Sequence, residues 1–393
     1  MTERARRRAT WIVALALGFA ALPLQAAAAT LTIGVLARAD DDRLDPHRVE
    51  LSYLGHPGGP LTQSVDVAIK ESQFELDAAN LQVKVEALQA RDATEAQAAM
   101  QRLEKAGAAA IVIDLPADWI SRAAPAVRIP LINAGEPDDN LRGAQCLPNL
   151  LHTYPSERMR ADAIAQTLAS RRWSKVLVLH GTAQDDATRL TTVQASIKRF
   201  GLKPVATRPF KLSADPRERD LGNPLLLTAN LDYDVVWVVD SDGEFARSLP
   251  YRISLPRPVV GDGGLFALAW APNFERFGAP QLARRFLRGA SRPMTGHDWA
   301  GWIATKAILQ AALDKALTPA AQLKAFVQPG FTLDGFKGVR LSFRTWDRQL
   351  RQPLLLTDGQ GVVALAPAEG ILHPTNVLDT LGADAPEGLC KTR

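Results

Sequence analysis

The chain has little of what usually announces chemistry. Its 393 residues include two cysteines and six histidines, and none of the histidines (His47, His56, His152, His180, His297, His373) pairs with another at metal-ligand spacing. No G-x-S-x-G elbow, H-E-x-x-H helix or Walker phosphate loop occurs. The nucleophilic, zinc-dependent and phosphate-loop chemistries that those motifs carry therefore have no foothold. Gly261-Asp262-Gly263-Gly264 follows an apolar strand but lacks the G-x-G-x-x-G spacing of a dinucleotide loop. The run Asp40, Asp41, Asp42 and Asp45 offers oxygen atoms to a hard cation without the spacing of a calcium loop. The chain is accordingly not read as an enzyme, and no metal or cofactor is expected.

Long apolar runs are equally scarce. The one present, Trp11 to Leu22, follows Arg4, Arg6, Arg7 and Arg8 and leads to the small residues Ala26 to Ala29. Pro23 and Gln25 interrupt it short of the roughly 20 apolar residues a membrane span needs. It reads as an export signal over residues 1–26 rather than an anchor, and no cysteine nearby invites a lipid. Without it, 42 basic residues face 41 acidic ones. That near-neutral balance excludes the clustered positive charge a nucleic-acid or membrane-surface role requires. Cys146 and Cys390 both survive into an oxidising compartment, where a disulfide between them is the natural expectation and two separate thiols the alternative.

What is present is alternation. Leu31 to Leu36 reads as a strand, and Leu61, Val65, Ala68, Ile69, Ser72 and Leu76 share one helical face. Strands follow at Leu81 to Ala87, Ala108 to Ile113 and Pro130 to Asn133, separated by helices over Thr94 to Ala106 and Trp119 to Ala126. Strands apolar on both faces, alternating with helices, predict a parallel sheet covered on both sides. Glu136 to Tyr154 shows no periodicity and reads as a crossing segment. A second βα series then runs through strands at Lys175 to Leu179, Pro204 to Phe210, Val235 to Val239 and Pro258 to Val260. The fold class expected is α/β, with two doubly wound parallel-sheet lobes.

Ligands of such sheets sit beyond the carboxyl ends of the strands. The loops there supply Asp114, Trp119, Asn133, Glu136, Asp185, Asp240, Ser241, Asp242 and Asp262 as candidate ligand-binding residues, with helix capping as the competing role for Asp and Ser. Gly55-His56-Pro57-Gly58-Gly59-Pro60 precedes the first helix, whose backbone amides could face a polar or anionic group.

The order of these segments resembles the type I periplasmic solute-binding proteins, the group that includes branched-chain amino-acid receptors of ABC transporters. The resemblance rests on Leu31-Thr32-Ile33-Gly34-Val35, Ile129 to Ala134, Lys175 to His180, Asp234 to Val238 and Asp334 to Phe343. More narrowly, Gly55 to Pro60 and the tail Leu372 to Asp379 resemble the subgroup linked with pyrroloquinoline-quinone-dependent alcohol dehydrogenase systems. The resemblance implies a three-crossover hinge, a first lobe of residues 30–152 plus 272–335, and a second of 153–271 plus 336–393. It also implies a monomer in the periplasm that hands a small-molecule solute to an inner-membrane ABC permease; an accessory or sensing protein without a permease is the alternative. Family members hold an amino acid partly through Ser and Thr, where this chain has Asp114-Leu115-Pro116-Ala117-Asp118 and Ala134-Gly135-Glu136. An ordinary α-amino acid is therefore not the expected solute, and Asp262 is the position that would grasp an ammonium.

Overall fold

The computed structural model describes residues 28–46 and 54–391; the export signal expected over residues 1–26 lies outside them. Two parallel sheets organise the chain. The first joins β1 (Ala29–Arg38), β2 (Leu81–Ala90), β3 (Ala110–Asp114), β4 (Leu131–Asn133) and β5 (Leu150–His152) in the order β2-β1-β3-β4-β5. The second joins β6 (Lys175–His180), β7 (Lys203–Pro209), β8 (Val235–Val239) and β9 (Val259–Gly261) in the order β7-β6-β8-β9. In each, the chain starts at an inner strand, steps to one edge, and returns past its start to the other side. The burial pattern explains why. All five residues of β3 and all five of β8 are buried, as strands covered by helices on both faces must be, whereas edge strand β2 alternates between covered and solvated positions.

Sequence periodicity missed β5, because three residues are too few to show a period. It lies inside the segment read as a crossing and completes the first sheet against β4. The strands Phe266–Leu268, Leu354–Thr357 and Val362–Ala366 form a small antiparallel sheet beside the second lobe.

Membership of the two main cores changes repeatedly along the chain. Leu151 and Tyr154 pack in the first core and Met159 in the second; Ala267 packs in the second and Ala269 in the first; Leu350 packs in the first and Leu354 in the second. The first core gathers Trp270, Phe286, Trp299, Trp302 and Phe326 around helix Gly296–Leu313, which is buried along most of its length. Leu341, Phe343 and Leu350 also belong to it, so this core draws on chain beyond residue 335. Among the described residues no helix is long and apolar enough to cross a membrane.

The C-terminal segment runs back across the junction. Leu381 packs in the second core, Glu387 receives both Nη atoms of Arg158 at 2.8 and 2.6 Å, and Cys390 is disulfide-bonded to Cys146, which lies between β4 and β5. Beneath this strap, Arg344 is fully buried and donates to Asp379 at 2.9 Å, to Asp347 at 3.3 Å and to the carbonyls of Leu378, Leu381 and Ala383.

Candidate solute-binding cleft

The carboxyl ends of both parallel sheets open onto one cleft of about 1070 Å³ between the lobes. Five of the residues picked from sequence line it: Glu136, Asp185, Asp240, Ser241 and Asp262. Four others do not. Asp114 ends β3 one layer behind the wall, its carboxylate beneath Gly135, where an added Cβ would collide with it. Trp119 packs against the first lobe's core on the far side of its helix. Asn133 is buried under the loop it shapes: its Oδ1 accepts from Gly135 N at 3.2 Å and Glu136 N at 2.9 Å, and its Nδ2 donates to Glu136 O at 2.7 Å. Asp242 forms interactions of its own outside that lining set.

The cations of the cleft were not read from sequence. Arg43 reaches Asp41 at 2.7 Å and Asp114 at 3.0 Å, which takes up one member of the Asp40 to Asp45 run. On the second lobe Arg189 reaches Asp262 at 2.5 Å and Glu157 at 3.2 Å, and Arg160 reaches the other oxygen of Glu157 at 3.1 Å. Both oxygens of Asp262 are thereby occupied, since Oδ2 accepts from Asp240 N at 2.9 Å. Asp240 Oδ2 in turn accepts from Ala246 N at 2.9 Å. Asp262, the position expected to grasp an ammonium, thus lines the cleft with each oxygen already accepting one hydrogen bond.

Burial sets the protonation states. It pushes Glu136 up to about 7 and Asp139 up to about 6. It drives His297 down to about 3 and lowers His56, so both imidazoles are neutral near pH 7. His297 lies against Tyr154 with ring centroids 4.4 Å apart, giving the first lobe a flat, uncharged wall. Burial raises Glu157, but Arg189 and Arg160 overcome it and hold the carboxyl below its usual range.

Glu136→Gln isolates one of these effects. Burial lifts the folded-state value above the unfolded one, so the group favours folding when protonated, and that contribution disappears as pH rises through about 7. Between about pH 5 and pH 8 the wild-type melting temperature is expected to fall relative to that of Glu136→Gln. Parallel curves for the two proteins would contradict the assignment.

No family model matches the sequence, and no curated protein is similar to it. The fold is that of the type I periplasmic binding proteins. A periplasmic binding protein from Burkholderia mallei has a TM-score of 0.65 at 12% identity over 92% of this chain and 98% of its own. An amino-acid ABC transporter substrate-binding protein from Pseudomonas fluorescens Pf-5 has a TM-score of 0.66 at 13% identity, over 91% and 99%. An ABC transporter solute-binding protein from R. palustris, in complex with 4-hydroxybenzoate, has a TM-score of 0.61 at 13% identity, over 84% and 94%.

Proposed function

We propose that this chain is the exported solute receptor of an ABC-type uptake system, a monomer that captures a small organic molecule between its lobes in the periplasm and presents it to a permease. The observation that carries this reading is the cleft itself: both sheets direct their carboxyl ends into it, and it is roomy enough for a small ligand. Solved proteins of the same fold are described as binding amino acids and benzoates, which supports a receptor reading. Solute binding would then favour the closed arrangement of the lobes by the difference in its affinity for the open and closed states.

A finer reading links the receptor to alcohol oxidation by quinone-dependent dehydrogenases. It is supported by where the two subgroup motifs lie. Gly55, His56 and Pro57 line the cleft, and the tail motif ends on Asp379, the buried partner of Arg344. The motifs that mark the subgroup therefore belong to the solute wall and to the strap.

A thermal-shift panel of alcohols, aldehydes, organic acids, amino acids and pyrroloquinoline quinone on the mature protein tests the receptor reading. A bound solute at 100 times its Kd is expected to stabilise the fold by about 2.7 kcal/mol. Stabilisation by the quinone alone, with every small solute silent, would instead favour a cofactor-handling accessory protein.

A further inference from the structure

Of the four guanidinium groups on the cleft wall, three are neutralised: Arg43 by Asp41 and Asp114, Arg160 by Glu157, and Arg189 by Glu157 and Asp262. Arg38 is different. It ends β1, the inner strand of the first sheet, and its side chain lines the cleft. Its Nε is buried with no hydrogen-bond partner, and no carboxylate among the described residues forms an ion pair with it. Asp41 and Glu136 lie near enough to feel its charge, but Asp41 is already held by Arg43. A buried N–H without an acceptor is costly, so among the described residues Arg38 is the guanidinium of the cleft wall left wanting an acceptor.

The carboxylates that follow β8 and β9 are already engaged: Asp262 accepts at both oxygens, and Asp240 accepts from the backbone amide of Ala246. Burial raises Asp240 as well, with Asp262 and Asp186 adding their repulsion. A guanidinium presents parallel N–H donors that match a carboxylate's two oxygens, so the geometry of the free group selects the ligand group. We infer that Arg38 anchors the carboxylate of a small organic acid that carries no α-ammonium group. This rests on the receptor reading above and narrows it to a solute class. Should the receptor serve alcohol oxidation, its solute would be the oxidised, acidic product rather than the alcohol.

Isothermal titration calorimetry on the full mature protein decides the matter with matched probes: benzoate against benzyl alcohol, 4-methylpentanoate against leucine, and inorganic phosphate. The acids are expected to bind, the alcohol and the amino acid to bind far more weakly, and Arg38→Gln to weaken acid binding about 100-fold. Arg38→Lys keeps the charge but not the fork, and is expected to fall between the two; it also carries the test if Arg38→Gln does not fold. Acid binding that survives both substitutions, equal binding of acid and alcohol, or a preference for phosphate or for leucine overturns the anchor and leaves the receptor reading standing. Silence of the folded wild-type protein towards every probe overturns this inference, whereas the receptor reading falls only if the wider solute panel is silent too.

Discussion

Arg344→Met is expected to lower stability by about 3–5 kcal/mol, read as a drop in the urea midpoint at unchanged slope. Arg344 is wholly buried and serves five acceptors, two of them carboxylates. Methionine fills a similar volume, so the loss would come from what is left behind rather than from a cavity. Asp347 would lose its ion-pair partner, and the carbonyls of Leu378, Leu381 and Ala383 would lose donors. Asp379 would keep Arg351 at 2.8 Å, which is why the expected cost stays below that of two stranded charges. For a fold whose whole margin is about 5–15 kcal/mol, this is a large fraction. Arg340, exposed on the strand Arg340–Phe343, gives the control: Arg340→Met is expected to change stability by less than about 0.5 kcal/mol. Equal effects at the two positions would show that the buried network is not what fixes the tail.

The paired substitution Cys146→Ser with Cys390→Ser is expected to cost about 5 kcal/mol. The disulfide spans 244 residues, and the chain-entropy model assigns about 4.7 kcal/mol to a loop of about 100 residues and slightly more to a longer one. Replacing both residues avoids a stray thiol. Denaturation of the double variant against the oxidised wild type measures the difference, and reducing agent should bring the wild type down to the variant. A reduced wild type as stable as the oxidised one would mean that the unfolded chain gains little freedom when the bond opens.

The sheets were legible because their central strands are apolar on both faces, a pattern that helices and loops do not share. Val235 to Val239 needs no context to be recognised. Strand β5 needs all of it, because Leu150–His152 is a strand only by virtue of β4 beside it. The site was half legible for a related reason. The rule that ligands sit beyond strand ends led to Glu136, Asp240, Ser241 and Asp262, yet the rule locates a loop and not the direction a side chain takes from it. Trp119, on the helix after β3, packs against the core, and Asn133, the last residue of β4, is buried. The arginines escaped because their meaning lies in partners far away in sequence: Arg43 meets Asp114 across 71 positions and Arg189 meets Asp262 across 73. Read singly, an arginine at a strand end or on a helix looks like a solvated surface residue, and only the fold shows three of them neutralised and one not.

The bond between Cys146 and Cys390 also changes what a protease can do to this molecule. Nearly the whole second lobe, with its exposed turn around Arg217 and Arg219, lies inside the ring the disulfide closes. A single cut there would open the ring without releasing a fragment, so both pieces would stay joined through the sulfur atoms as well as through the packed cores. Such a molecule would tolerate its first nick and be lost only at the second.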